Sequence, residues 1–150
     1  MGARCTFVFK QSEDLAVALY SQWGEDSMYQ DLAQALQHAA PRKGDTEYYT
    51  RMAISYLMQD SILEETGFGI YACNPNRMEW MDHPILIDLT NNTISHDNVN
   101  HKDIDSFITY NLPSSVLSTV GASSAEVGVT SRYRQGEAHS CGGFALLHTF

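Results

Sequence analysis

The chain has 150 residues, 43% of them hydrophobic and 11% aromatic, which suits one domain with its own core and excludes a largely disordered chain. Eighteen acidic against nine basic side chains give a formal net charge of -9, a balance that repels nucleic-acid phosphates and anionic membranes, excludes direct duplex DNA binding and favours a basic partner. No stretch approaches the ~20 apolar residues of a spanning helix, and residues 1–20 contain no secretory apolar run, so the cytoplasm is the expected compartment.

"RCTFVFK" (4–10) and "AVALYSQ" (16–22) are β-rich runs separated by the polar "QSEDL", the pattern of a hairpin. A first helix follows over 27–40: Asp26 or Ser27 can cap it, Met28, Leu32, Ala35 and Leu36 recur at helical spacing, and Pro41 closes it. Asp45 or Thr46 can cap a second helix that carries Tyr49, Met52, Ala53, Tyr56 and Leu57 on one stripe and ends near Gln59 or Leu63. "FGIYAC" (68–73) and "PILIDLT" (84–90) read as strands, the second apolar enough for a central position. Asn91 and Asn92 turn the chain into "TIS", and "HKDIDSFITYNL" (101–112) is a short helix with Ile104, Phe107 and Ile108 on one face.

Beyond Pro113 the chain is small and polar until "FALLHTF" (144–150), which reads as a terminal strand. The order of elements predicts an α+β single domain over 1–150, with a mixed or antiparallel sheet and the helices packed on one face. Residues 1–112 form its well-signalled core, and 113–150 a weakly signalled C-terminal segment.

Few residue patterns point to chemistry. Cys5, Cys73 and Cys141 are odd in number and form no C-x-x-C pair, so they are read as packing residues in a reducing compartment. "SHDNVNHKDID" gathers His96, Asp97, His101, Asp103 and Asp105, but lacks His-x-x-x-His spacing and the glycine and terminal glutamate of a calcium loop. It reads as the solvated start of a helix, with Asp103 favoured by the dipole, and neither a metal nor another cofactor is expected. No G-x-S-x-G elbow is present, and Gly67 and Gly69 complete no phosphate loop. Cys141 lies two residues from His139 in a polar tail, which does not make them a catalytic pair.

The remaining candidates lie on predicted loops. Trp23, Glu25 and Asp26 stand at the hairpin-to-helix junction, Glu65, Thr66 and Gly67 at the helix-to-strand junction, and Arg77, Trp80 and Asp82 in "NPNRMEWMDH". Loops carried on a rigid sheet commonly bind, and these are the expected binding residues if they converge at one end of it. The plainer alternative makes Trp23 and Trp80 aromatics at the rim of the core.

Four segments in order, "MGARCTFVFK", "LYSQWGED", "EETGFGI" and "HPILIDLTNNTIS", resemble a group of small phage-encoded proteins of unassigned function, over about residues 1–96. That group often has histidine where Gln22 precedes Trp23 here, a departure that weakens any acid-base or metal role for the position. The resemblance implies a viral protein acting in a bacterial cytoplasm. Together with the surplus acid and missing catalytic motifs, it leads to the expectation of a non-catalytic counter-defence protein that binds a basic surface of a host defence protein. The alternatives are a binder that sequesters a nucleotide-like signal, using cations such as Arg51, Arg77, Arg132 or Arg134, and a hydrolase of that signal. Homo-oligomerisation stays open.

Overall fold

A computed structural model describes residues 3–96, 99–101, 103–113 and 115. The expected hairpin forms from β1 (Cys5–Lys10) and β2 (Ala16–Ser21), paired in register from Cys5 opposite Ser21 to Lys10 opposite Ala16. Helix α1 (Met28–Ala39) follows and runs into a single 3-10 turn at Ala40–Arg42, where Pro41 is tolerated because the first turn needs no donor from it. Helix α2 (Thr46–Leu57) begins at Asp45, whose side chain accepts from the Tyr48 N–H, and stops at Leu57, before the expected end. Then come β3 (Phe68–Cys73), β4 (Pro84–Asp88), β5 (Thr93–His96), β6 (Val99–His101) and helix α3 (Ile104–Asn111).

The sheet order is β3-β2-β1-β4-β5-β6, with β1 and β4 parallel and every other pairing antiparallel. The fold is therefore the expected α+β domain with a mixed sheet, and β4 is central as its apolar run predicts. Two readings need correction. Residues 99–101, expected to be a loop leading into a helix at 101, form β6 and continue the β5 hairpin, so α3 starts only at Ile104. Ser27 precedes α1 but makes no capping bond; its hydroxyl donates to Asp31 instead, at 2.5 Å. The terminal strand expected at 144–150, with Arg132, Arg134, His139 and Cys141, lies outside the described residues.

Strand alternation sorts the core. Cys5, Phe7, Phe9, Leu19, Ile85, Ile87 and Ile94 face the helices and pack with Leu32, Leu36, Ala53 and Phe107, all buried. Each large side chain so buried stabilises the fold by about 1.5–3 kcal/mol relative to exposure. On the opposite face, Val8, Ala16 and Ala18 are covered by Met81 and Met78 from the loop 74–83. That face also holds the cross-strand pair Lys10–Asp88, whose ammonium and carboxylate are 3.2 Å apart. Asp88 further accepts from the backbone N–H groups of Thr90 and Asn91 and from the Asn91 amide, pinning the turn into β5. Asn92 completes that turn at φ 56°, as its predicted left-handed role requires.

Candidate functional site

β2 ends and β3 begins at the same end of the sheet, since Ser21 pairs with Phe68. The chain leaving β2 is tied to the chain entering β3 by a bond from the Gln22 N–H to the Gly67 carbonyl, 2.9 Å. Gly67 has φ +102°, a backbone conformation open to glycine and strained for other residues, and a side chain there would also meet the Trp23 indole nitrogen at 3.4 Å. Trp23 thus rests over Gly67 while 68% of it stays exposed. Gly24 is held still more closely: an added β-carbon would lie 2.6 Å from the Cys5 sulfur. The glycine lets the turn descend onto the start of β1 and fixes where the preceding tryptophan stands.

A polar cleft of about 300 Å³ opens beside this turn, lined by Trp23, Asp31 and Gln34 on one side and by Tyr56, Gln59 and Asp60 on the other. Glu25 stands 3.4 Å from His83, a contact that becomes an ion pair when the imidazole is protonated. His83 takes φ 40°, a strained value for a residue with a β-carbon, just before β4 begins at Pro84. Asp26, Glu65 and Thr66 are exposed around the turn. Burial pushes the Cys5 thiol up to about 12, and the nearby charges of Asp31 and Glu25 add to the effect. The thiol stays protonated at neutral pH, the form in which it is a poor nucleophile.

The structure therefore brings Trp23, Glu25, Asp26, Glu65, Thr66 and Gly67 to one end of the sheet, and separates Arg77 and Trp80 from them. Asn76, next to Arg77, donates to the Glu13 carbonyl in the turn between β1 and β2, at the far end. Trp80 stacks on Tyr71 with ring centroids 5.7 Å apart, against the face away from the helices. Both tryptophans are mostly exposed, at 68% and 64%; Trp80 lies at the rim of the smaller core through Tyr71, whereas Trp23 rests on Gly67. Asp82 is exposed and leads into His83.

Sequence reasoning missed His83, Asp31 and Asp60, which reach the site only through tertiary folding. His96, raised as a metal ligand, has its Nδ1 2.7 Å from the Tyr29 hydroxyl, and Asp103 caps α3 by accepting from the Ser106 N–H. Asp105 instead pairs with Lys43 at 2.5 Å. Among the described residues no group of three or more His, Cys, Asp or Glu side chains is arranged to hold a metal ion.

A second concavity lies on the helix side of the sheet at the other flank of β3. It is an apolar groove of about 860 Å³ between α2 and strands β2 and β3, with Val17, Ile54, Met58, Ile62 and Ile70 among its walls. Comparison of the chain with protein-family models, with curated proteins and with solved structures finds no match. Among the described residues no helix is long and apolar enough to cross a membrane.

Proposed function

We propose that this chain is a non-catalytic binding protein that covers a basic surface of a partner protein, with Trp23 as its anchor. The observation that carries the reading is an exposed indole, braced on Gly67, in a cleft shared with Asp31 and Asp60 and flanked by Glu25, Asp26 and Glu65. A flat aromatic face attracts guanidinium or ammonium groups, and carboxylates around it supply the counter-charge. Tryptophan is also over-represented among the residues that dominate binding energy. The resemblance to small phage proteins supports a bacterial cytoplasm as the setting, and together with the surplus acid it favours a host defence protein as the partner and its inhibition as the activity.

Sequestration of a nucleotide-like signal is less well supported, because the two of its candidate cations among the described residues, Arg51 and Arg77, lie apart. Arg51 lines the apolar groove, whereas Arg77 belongs to the loop that covers the opposite face. A hydrolase fares worse, since the described site offers carboxylates and a protonated, buried thiol without an activated nucleophile.

The test is capture from bacterial lysate by the wild-type chain and by a triple variant, Trp23→Ala with Glu25→Lys and Asp26→Lys. The captured protein should be basic at its contact surface and lost with the variant. Expressed in a bacterium that carries that protein, the wild-type chain should restore phage plating and the triple variant should not. Equal capture by both chains refutes the site.

A further inference from the structure

The outer edge of β3 has no pairing partner among the described residues, yet all six of its residues are held in register by β2. Native sheets blunt such edges with lysine, proline, bulges or very short strands. "FGIYAC" has none of these. Every second residue of an edge strand directs its N–H and C=O outward, so β3 presents a ready template for another extended chain. The side facing the helices is open as well: Ile70 is 56% exposed, and Leu15 and Ile62, which line the same groove, are 49% and 57% exposed. Together with Val17, Ile54 and Met58 they leave an apolar groove running beside that edge. A strand added there would send alternate side chains into the groove.

Charge decides between the two natural occupants. The start of β3 follows exposed Asp60, Glu64 and Glu65, and its end lies by the β1–β2 turn, with Glu13 and Asp14 exposed, because Cys73 pairs with Ala16. Both ends of the edge thus carry exposed acids, Asp14 in no ion pair among the described residues and Glu13 shared with the Lys10 ammonium at 3.1 Å. Two copies of β3 pairing antiparallel about a two-fold axis would set Glu64 and Glu65 of one copy against Glu13 and Asp14 of the other, an arrangement that like charges oppose. An extended segment with aliphatic residues at alternate positions and lysine or arginine at both ends meets the groove and both acidic ends at once.

We propose that β3 binds such a segment of the partner protein by strand addition, its aliphatic side chains seated on Ile70, Ile54 and Met58 and one basic end reaching the acids beside Trp23. The inference rests on the basic-partner reading above and supplies the conformation in which the partner is held. Main-chain bonds give such a complex its affinity, and the groove gives it side-chain preference.

The experiment is selection of random peptides about ten residues long, displayed on ribosomes, against the full chain. Enriched peptides should alternate aliphatic and polar residues and carry Lys or Arg at both ends. A synthesised winner should lose binding about tenfold or more on the Ile70→Glu chain, and Ala72→Glu, on the same exposed face, should act alike. N-methylation of every second amide should abolish binding in one of the two alternate frames and spare it in the other. Absence of enrichment over the Ile70→Glu decoy, or equal binding of both N-methylated frames, overturns the proposal. So does a wild-type dimer in sedimentation that Ile70→Glu converts to a monomer, which would assign the edge to a second copy. A captured partner lost with the Trp23, Glu25 and Asp26 variant but indifferent to Ile70→Glu would leave the basic-partner reading intact and remove strand addition. Indifference to both variants removes both.

Discussion

Gly24 offers the sharpest test of how the candidate site is held. An alanine there would place its β-carbon 2.6 Å from the Cys5 sulfur and 3.1 Å from the Ser21 hydroxyl oxygen, both closer than van der Waals contact allows. Cys5 is fully buried at the start of β1, so the sulfur has no open space to enter, and the turn itself must move. Overpacking of this kind costs about 1–3 kcal/mol, which for a domain of this size lowers Tm by about 2–12 °C. Removing the obstacle should restore part of that loss. Cys5→Ala alone deletes a buried sulfur at a cost of about 1–2 kcal/mol, while the double variant should be more stable than the sum of the two single effects by about 1–2 kcal/mol. Urea unfolding of the wild type, both single variants and the double variant measures the coupling. Additive effects would show that the sulfur does not confine the turn, and would refute the account of why glycine precedes Glu25.

Trp23→Ala should leave Tm nearly unchanged, because the side chain is 68% exposed, and should remove partner binding in a pull-down. Asp88 tests the pH response: burial alone would raise its carboxyl, but the Asn91 backbone and side-chain hydrogen bonds and the Lys10 ammonium outweigh it and hold the group below the usual carboxylate range. A depressed folded-state value means stability that is present above the unfolded value near ~4 and lost as pH falls through the lower folded value. Asp88→Asn should therefore be less stable than wild type near neutral pH, with the gap closing below about pH 4; a gap constant with pH would contradict this. In a Cys141→Ser background, a thiol reagent near neutral pH should leave Cys5 untouched until the chain unfolds, and should label half-buried Cys73 only slowly, since burial raises that thiol too. Raising salt from ~0.05 to ~0.5 M should slow partner association far more than it alters dissociation, and reversal of Glu25, Asp26 and Glu65 should weaken binding more than reversal of Asp103 and Asp105.

Much of the described fold was legible in local patterns. β1, β2, α1 and α2 each announce themselves through a clean period or a capping residue, and β4 through an apolar run that only a central strand requires. β6 was not legible because "VNH" has neither length nor apolar alternation; it pairs with β5 because the hairpin geometry brings it there. The early stop of α2 has a related cause. Leu63 and Ile62 continue the apolar count, but after Leu57 the chain folds into successive turns, and these side chains remain exposed instead of joining the core.

The candidate site divides along the same line. Residues adjacent in sequence, such as Trp23 with Glu25 and Asp26, could be named from loop composition, while His83, Asp31 and Asp60 could not, because pairing of β1 with β4 and packing of α1 against α2 bring them in. The exposed leucine and isoleucines gain meaning only in that context. An apolar residue on a polar loop is ordinary, but Leu15, Ile62 and Ile70 line a groove beside a strand edge that has no partner among the described residues and whose other side is fully zipped to β2. Stability of the domain draws little on these three, since each is about half in water. Their common location beside a long edge that, among the described residues, carries no protective lysine or proline is what separates a binding surface from incidental exposure. That distinction makes Ile70→Glu informative in both directions: it should leave the unfolding midpoint where it is and change only what the edge can hold.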